Sequence, residues 1–312
     1  MIERSLSADR FFVHDSSSNA ASARGIASAL AAFFLWGVLP LYWKALGSLP
    51  ASSIIAHRTI WALVILWAIL FCQRKGWETL HQLKEIRVVL WHTISGLLLA
   101  GNWMLYVWAT LHDHIIEAAL GYYLNPFFNM LFGFLLFSER QTRTQQISIG
   151  IALAGVAIQF RGSHGFPWIA LALALSFSLY AVVRKRSTLG SLPGLSLETL
   201  LLSPVALVWL SISSPSLITT MQNHDRMTWL LMSTGIATAA PLLCFGHAAR
   251  NISLTTLGIL QFLGPTLQFF IGWLVYREPM NWERSCSFLM IWLAIAIYGN
   301  SIKKQKQLAN TD

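Results

Sequence analysis

The chain has 312 residues, 55% hydrophobic and only 11% charged, with mean hydropathy +0.56. A soluble domain carries about 25% charged residues, so a mainly water-facing surface is excluded. The net charge of +9 would suit nucleic acid, but the basic residues are scattered through short connections between apolar runs, and no basic face is left for such a partner.

Met1–Arg24 is rich in Ser, Ala and charge and has no apolar core. It predicts a disordered cytoplasmic tail rather than a cleaved signal peptide. Ten apolar runs follow, at 25–43, 51–72, 88–111, 115–137, 144–160, 167–183, 196–212, 228–249, 253–276 and 284–302. Most approach or exceed the roughly 20 residues that a helical bilayer crossing needs. The first is expected to act as an uncleaved signal-anchor. The connection Gln73–Arg87 mixes charge with apolar residues and predicts an amphipathic stretch on the inner leaflet, and 303–312 reads as a second cytoplasmic tail.

The second run contains Arg58, the only Lys or Arg inside a predicted span. It lies about 10 Å from the end of its helix at ~1.5 Å per residue, where an arginine costs roughly 2.5 kcal/mol or more without a cavity or a partner. Trp61 and Ile65 share its face, placing an aromatic against the guanidinium. Three readings stand: a bidentate clamp on a substrate anion, a snorkelling arginine, or a structural pair with Glu117. His57 precedes Arg58 on another face and is either a coupling proton site or a hydrogen-bonded core histidine. Asn102 in the third run is a midplane amide. His112-Asp113-His114 has no second ligand cluster and reads as a polar outer loop rather than a metal site.

The fourth run opens with Glu117, which caps the helix, pairs with Arg58, or faces the outer vestibule as a proton or cation site. It continues through Asn125 and Pro126, and Glu139 follows it. Neutral amides such as Asn125, Gln261 and Gln268 either bind zwitterions and uncharged molecules or tie helices together. Pro126 and Pro265 each free a carbonyl near such an amide. Glu139 and Glu278 precede their next helices and read as capping acids. Glu198, after Arg184-Lys185-Arg186, balances that run at the inner interface. Trp43, Trp77, Trp168 and Trp282 suit an interfacial belt, whereas Trp36 and Tyr180, at related places in the first and sixth runs, are pocket-lining candidates. Cys72, Cys244 and Cys286 lack metal spacing or an even framework and read as small buried thiols.

With both ends placed inside, sixteen Lys and Arg fall in inner segments and five in outer loops. This bias puts both termini in the cytoplasm. At an offset of 139 residues, Pro126 falls on Pro265, Gly133 on Gly272 and Glu139 on Glu278, with Ala109 on Ala248, Leu124 on Leu263 and Ala157 on Ala296. Two five-span halves related in this way must be mutually inverted, because five is odd, and carriers of that design bind substrate between the halves.

Asn125-Pro126, Glu139, Gly150 and Gly155, with Pro265 and Glu278 in the second copy, resemble the EamA repeat of the drug/metabolite transporter superfamily. Leu289 and Ala294 replace the two glycines in that copy. Phe34-Leu35-Trp36-Gly37-Val38-Leu39-Pro40-Leu41-Tyr42-Trp43-Lys44, Ala56-His57-Arg58, Glu117 to Tyr123 and Ser253 to Gly258 resemble its RarD branch. The resemblance implies an all-α polytopic fold of ten helices in two inverted repeats, 25–160 and 167–302, in a bacterial inner membrane. It also implies movement of small molecules; the branch carries a chloramphenicol-sensitivity label. The function expected is a secondary transporter of a small amphipathic metabolite or drug, with lipid bilayer and substrate as partners and proton coupling open to it. No GxxxxGK[ST] or HExxH occurs, so no nucleotide or metal cofactor is expected, and an intramembrane enzyme is the weaker alternative. A lipid-headgroup flippase of the same fold is the other.

Overall fold

A computed structural model describes residues 3–137, 142–159, 166–213, 226–252 and 260–309, and these are helical with short connections. The helices are α1 Glu3–Ala45, α2 Ala51–Cys72, α3 Gly76–His81, α4 Ile86–Leu111, α5 Ile115–Phe137 and α6 Arg143–Gln159. They continue as α7 Trp168–Arg186, α8 Ser191–Ile212, α9 Arg226–Asn251, α10 Leu263–Phe270 and α11 Trp282–Ala309. Among the described residues, six stretches are long and apolar enough to cross a membrane: Ala23–Ala45 of α1, α2, α4, Ile115–Leu136 of α5, α8 and Arg226–Phe245 of α9. Trp168–Arg184 and Leu263–Val275 are shorter apolar helices. The chain before Ala23, expected as an unstructured tail, enters as the polar beginning of α1.

Side chains on the outside of the bundle are apolar: Val205, Val208, Ile212 and Leu289 are all more than half exposed. Water would not tolerate that surface over many helices; lipid does. Between α2 and α4, the amphipathic α3 leaves Trp77 73% exposed, packed edge-on to Phe71. Trp168 and Trp282 are also exposed, as a belt requires, but Trp43 is fully enclosed. Cys72 is exposed and Cys244 and Cys286 are half-buried, so the thiols are less enclosed than expected.

Polar contacts define two ends of the bundle. At one, Lys44 pairs with Asp113 and lies over Tyr276, while Glu278 binds the first residues of α5 and Glu117 the first of α7. At the other, Arg184 meets His92 and Gly190, and Thr142 meets Ser301. We call these the Lys44 end and the Arg184 end. α2 starts at the Lys44 end and α8 at the Arg184 end, and the two pack together. The pairs α1 and α7, α4 and α9, α5 and α10, and α6 and α11 also run in opposite senses. The helix pairings map onto themselves when these partners are exchanged: α1 on α9 becomes α7 on α4, α5 on α7 becomes α10 on α1, and α2 on α9 becomes α8 on α4.

The two matched prolines differ in effect. Pro126 sits in the middle of α5 and leaves the Tyr122 carbonyl without its helical donor. Pro265 stands in the first turn of α10, and the carbonyl it would deprive belongs to Gln261, where the helix is interrupted as a turn. α10 then loosens into a π-helical turn, Ile271–Val275, closed by Tyr276 N–H on Ile271 O at 3.1 Å.

Candidate functional site

Arg58 is the eighth residue of α2, 3% exposed, and it joins four helices. Its Nε donates to Thr238 Oγ1 of α9 at 2.7 Å. Its Cζ lies 3.8 Å from the ring centroid of Trp103 on α4 and 5.2 Å from that of Trp43 on α1. Gly235 makes this possible: a Cβ there would fall 2.6 Å from the backbone of Trp61, so only glycine lets α9 come close enough to α2 to present Thr238. Trp61 does not supply the shielding expected of it. The rings over Arg58 come from other helices, and Trp61 backs onto Gly235.

Magnitudes decide what this arrangement achieves. Placing arginine in a membrane helix costs about 2.5–3.5 kcal/mol on insertion scales. Two cation–π contacts contribute roughly 0.5–2 kcal/mol each, and a hydrogen bond from a charged group about 1.5–3 kcal/mol. The guanidinium is therefore held, but no acid among the described residues neutralises it. The ion pairs among the described residues join Lys44 to Asp113, His92 and Arg184 to Glu198, and His114 to Glu117. None includes Arg58.

The pairing of Arg58 with Glu117 is thus not formed. Glu117 Oε1 instead accepts the Ile169 N–H at 3.1 Å, capping α7, and Oε2 lies 3.7 Å from His114 Nδ1. Glu278 is also a cap, but of α5 rather than of the helix that follows it. Its oxygens accept the N–H groups of Ile115 at 2.6 Å and Ile116 at 2.9 Å. Burial raises its carboxyl above the ordinary range, and these two bonds oppose the rise. Glu139 lies outside the described residues. Among those described, no group of three or more His, Cys, Asp or Glu could hold a metal. His112 stacks on Trp108, Asp113 pairs with Lys44, and burial beside Arg284 and His112 pushes His114 down.

Other expected residues fall into separate groups. Asn102 donates to Leu173 O at 3.0 Å and Ser176 Oγ at 2.9 Å, tying α4 to α7, and accepts from the Tyr122 hydroxyl at 3.4 Å. Tyr122 in turn packs on Tyr106. Gln268 donates to the Trp36 carbonyl at 3.1 Å, and the Trp36 ring packs on Phe33 and Phe245. Gln261 sits in the interruption before α10. Tyr180 donates to Glu198 at 3.4 Å. His57 is fully enclosed.

Several buried polar atoms find no hydrogen-bond partner, among them Asn125 Oδ1, Gln268 Oε1, the Tyr106 hydroxyl and Trp43 Nε1. An unmet group of this kind costs about 1–3 kcal/mol. Trp43 touches Arg58 through its ring, and Tyr106 is close enough to feel the same charge. The site therefore combines an unneutralised cation, two unmet donors and aromatic walls. A pocket of about 540 Å³ opens at the Lys44 end, lined by residues 47–52, Met104, Trp108, Leu111 and His112. Trp43, Trp103, Tyr106 and Thr238 were not among the expected site residues. Trp43 stands at the end of the first run, where it read as an interfacial residue, and nothing in the sequence tied the four together.

The model of the EamA-like transporter family matches residues 23–161. An uncharacterized transporter, YojE of Bacillus subtilis, is 38% identical over 297 residues, covering 94% of this chain and 99% of that one. Protein RarD of Escherichia coli is 37% identical over 277 residues, covering 88% and 93%. A solved crystal structure, 20% identical, superposes with a TM-score of 0.59 over 88% of this chain and 96% of its own, and so shares the fold.

Proposed function

Because this chain belongs to the RarD branch of the EamA-like transporter family, a multi-pass bacterial membrane transporter, we propose that it is a secondary transporter of a small amphipathic organic anion. On this reading it works by alternating access in the inner membrane. The observation that carries the substrate class is Arg58: a fully enclosed cation with no acid among its described partners. A carboxylate reaching it would supply the missing charge bidentately. Trp43 Nε1 and the Tyr106 hydroxyl stand by as further donors, and the rings of Trp43 and Trp103 suit an apolar body. The anion then completes the site rather than competing with a resident acid.

Ten crossings in two inverted five-helix repeats, with both termini cytoplasmic, belong to the same reading. It is supported by helix pairings that map onto themselves when the halves are exchanged, and by the excess of Lys and Arg in the segments at the Arg184 end. The Lys44 end then faces outward. Residues 25–160 and 167–302 are the repeats.

The test is counterflow in proteoliposomes, with benzoate, phenylacetate and indole-acetate set against benzylamine and chloramphenicol. At least one carboxylate should exchange, and Arg58→Gln should abolish that exchange while leaving the protein monodisperse and helical. Exchange of the amine or of chloramphenicol that is unaffected by Arg58→Gln, with no carboxylate moving, overturns the proposal.

A further inference from the structure

At the opposite end of the bundle, a second buried charge is handled in another way. Glu198 is 1% exposed, and among the described residues its carboxylate meets side chains of neighbouring helices. From α4, Ser95 Oγ donates to Oε1 at 2.6 Å and His92 Nδ1 lies 3.4 Å away. From α7, Arg184 Nη1 lies 3.4 Å from Oε1 and the Tyr180 hydroxyl 3.4 Å from Oε2. Arg184 also donates to Gly190 O at 3.1 Å, at the start of α8. Gly194 leaves the guanidinium its place, since a Cβ there would overlap it. α2, which packs on the same helix, presents Trp67 to the Ser196 carbonyl and no titratable contact among the described residues. α3 carries Glu78 and His81, the latter beside Lys84.

His92 bridges this carboxylate to the surface. Its ring is buried, with Nε2 3.0 Å from Ser187 Oγ, and Nδ1 stands 3.4 Å from both Arg184 Nη1 and Glu198 Oε1. Ser187 is half-exposed in the turn after α7. An imidazole standing between a half-exposed hydroxyl and a buried carboxylate can take a proton on one side and pass it on at the other. The route runs from solution to Ser187, to His92, to Glu198. When the carboxylate takes the proton it becomes neutral, and Arg184 loses the charge that draws α7 and α4 onto α8. Glu278 offers a contrast: its oxygens are fixed by backbone N–H groups of a single helix end.

We propose that the Ser187–His92–Glu198–Arg184 cluster is the proton site of the carrier, taking one proton per cycle from solution at the Arg184 end, and that its ionised form holds that end shut. This rests on the transporter reading above but uses residues distinct from the Arg58 site. It moves the coupling role away from Glu117, which is occupied in capping α7, and from His57, which is fully enclosed.

Two measurements test it. The first needs no substrate: infrared difference spectra of the protein in nanodiscs, taken between about pH 8 and about pH 5, with protons as the only ligand. The wild type should gain a protonated-carboxyl or imidazolium signal that Glu198→Gln and His92→Gln remove. Ser187→Ala, which leaves the ion pair in place, should slow its appearance after a pH jump. The second uses whichever carboxylate of the counterflow panel exchanges. Glu198→Gln should keep counterflow and lose accumulation driven by an imposed pH gradient. A titration signal unchanged in Glu198→Gln and His92→Gln overturns the proton site, as does gradient-driven accumulation that survives in Glu198→Gln. If no panel member exchanges in the wild type, the transporter reading fails, while the infrared signal still decides the proton site. Should Glu198→Gln not fold, His92→Gln and Ser187→Ala decide the matter by the same signals.

Discussion

α2 and α8 are both 22 residues long, they pack against each other, and each carries a buried charge at its eighth position. They begin at opposite ends of the bundle, so Arg58 lies toward the Lys44 end and Glu198 toward the Arg184 end. Among the described residues, Arg58 is met by two aromatic rings and one hydroxyl and by no acid, and Glu198 by hydroxyls, a histidine and an arginine. One register thus serves two chemistries. A charge left electrically open awaits a partner from outside, and a charge closed by movable side chains can be opened by a proton.

Breaking the open site should have the largest effect. Losing one partner of a buried, hydrogen-bonded charge pair costs about 2–5 kcal/mol, and about 1.4 kcal/mol is tenfold. Arg58→Gln should therefore weaken carboxylate binding by at least about 30-fold, read by competition in the counterflow assay, and remove exchange and accumulation together. Glu198→Gln should remove only accumulation. If both variants show one phenotype, the division between the two ends is lost. Gly235→Leu comes next. Side-chain atoms driven into the Trp61 backbone should cost about 1–3 kcal/mol, and carry Thr238 off Arg58. The expected result is a lower Tm together with weaker carboxylate binding. A lower Tm with binding unchanged would free Thr238 from any role.

Trp103→Leu keeps apolar volume but removes the nearer ring, a loss of roughly 0.5–2 kcal/mol, or about 2- to 30-fold in binding. The smallest effect is expected at Glu278, outside both sites. Its carboxyl is raised on folding, so the folded state holds the proton to higher pH than the unfolded state. The stability this contributes is present at acid pH and falls as pH rises through the raised value. The Tm difference between wild type and Glu278→Gln should shift against the wild type over that rise; a difference independent of pH would show that the carboxyl titrates alike folded and unfolded.

Much of this organisation was legible from the chain alone, and the reasons are physical. Apolar length marks membrane helices, and matches at an unaltered 139-residue offset are the basis of the repeat proposed above. Arg58 was visible because a cation in an apolar run is costly wherever it stands. Its partners were not, because Thr238 is 180 positions away and the rings come from α1 and α4. Trp43 looked interfacial because tryptophan near a span end suits a belt and a pocket equally well. Glu198 was placed at the inner interface because it follows Arg184-Lys185-Arg186 and the seventh apolar run was taken to begin at 196. Proline is tolerated in a first helical turn, so α8 begins at Ser191 and carries Glu198 two turns deep.

The opposed placement of Arg58 and Glu198 has an electrical consequence. Each residue stands seven positions in from the start of its 22-residue helix, so the two lie about 11 Å apart along the bundle axis, in the middle of the bilayer. The transmembrane voltage acts on them with about 2.3 kcal/mol per unit charge per 100 mV, in proportion to the fraction of the field each charge crosses. Because Arg184 already balances Glu198, the empty molecule carries its unbalanced positive charge at Arg58, and the molecule loaded with an anion and a proton carries it at Arg184; membrane potential therefore acts on the two forms at different depths.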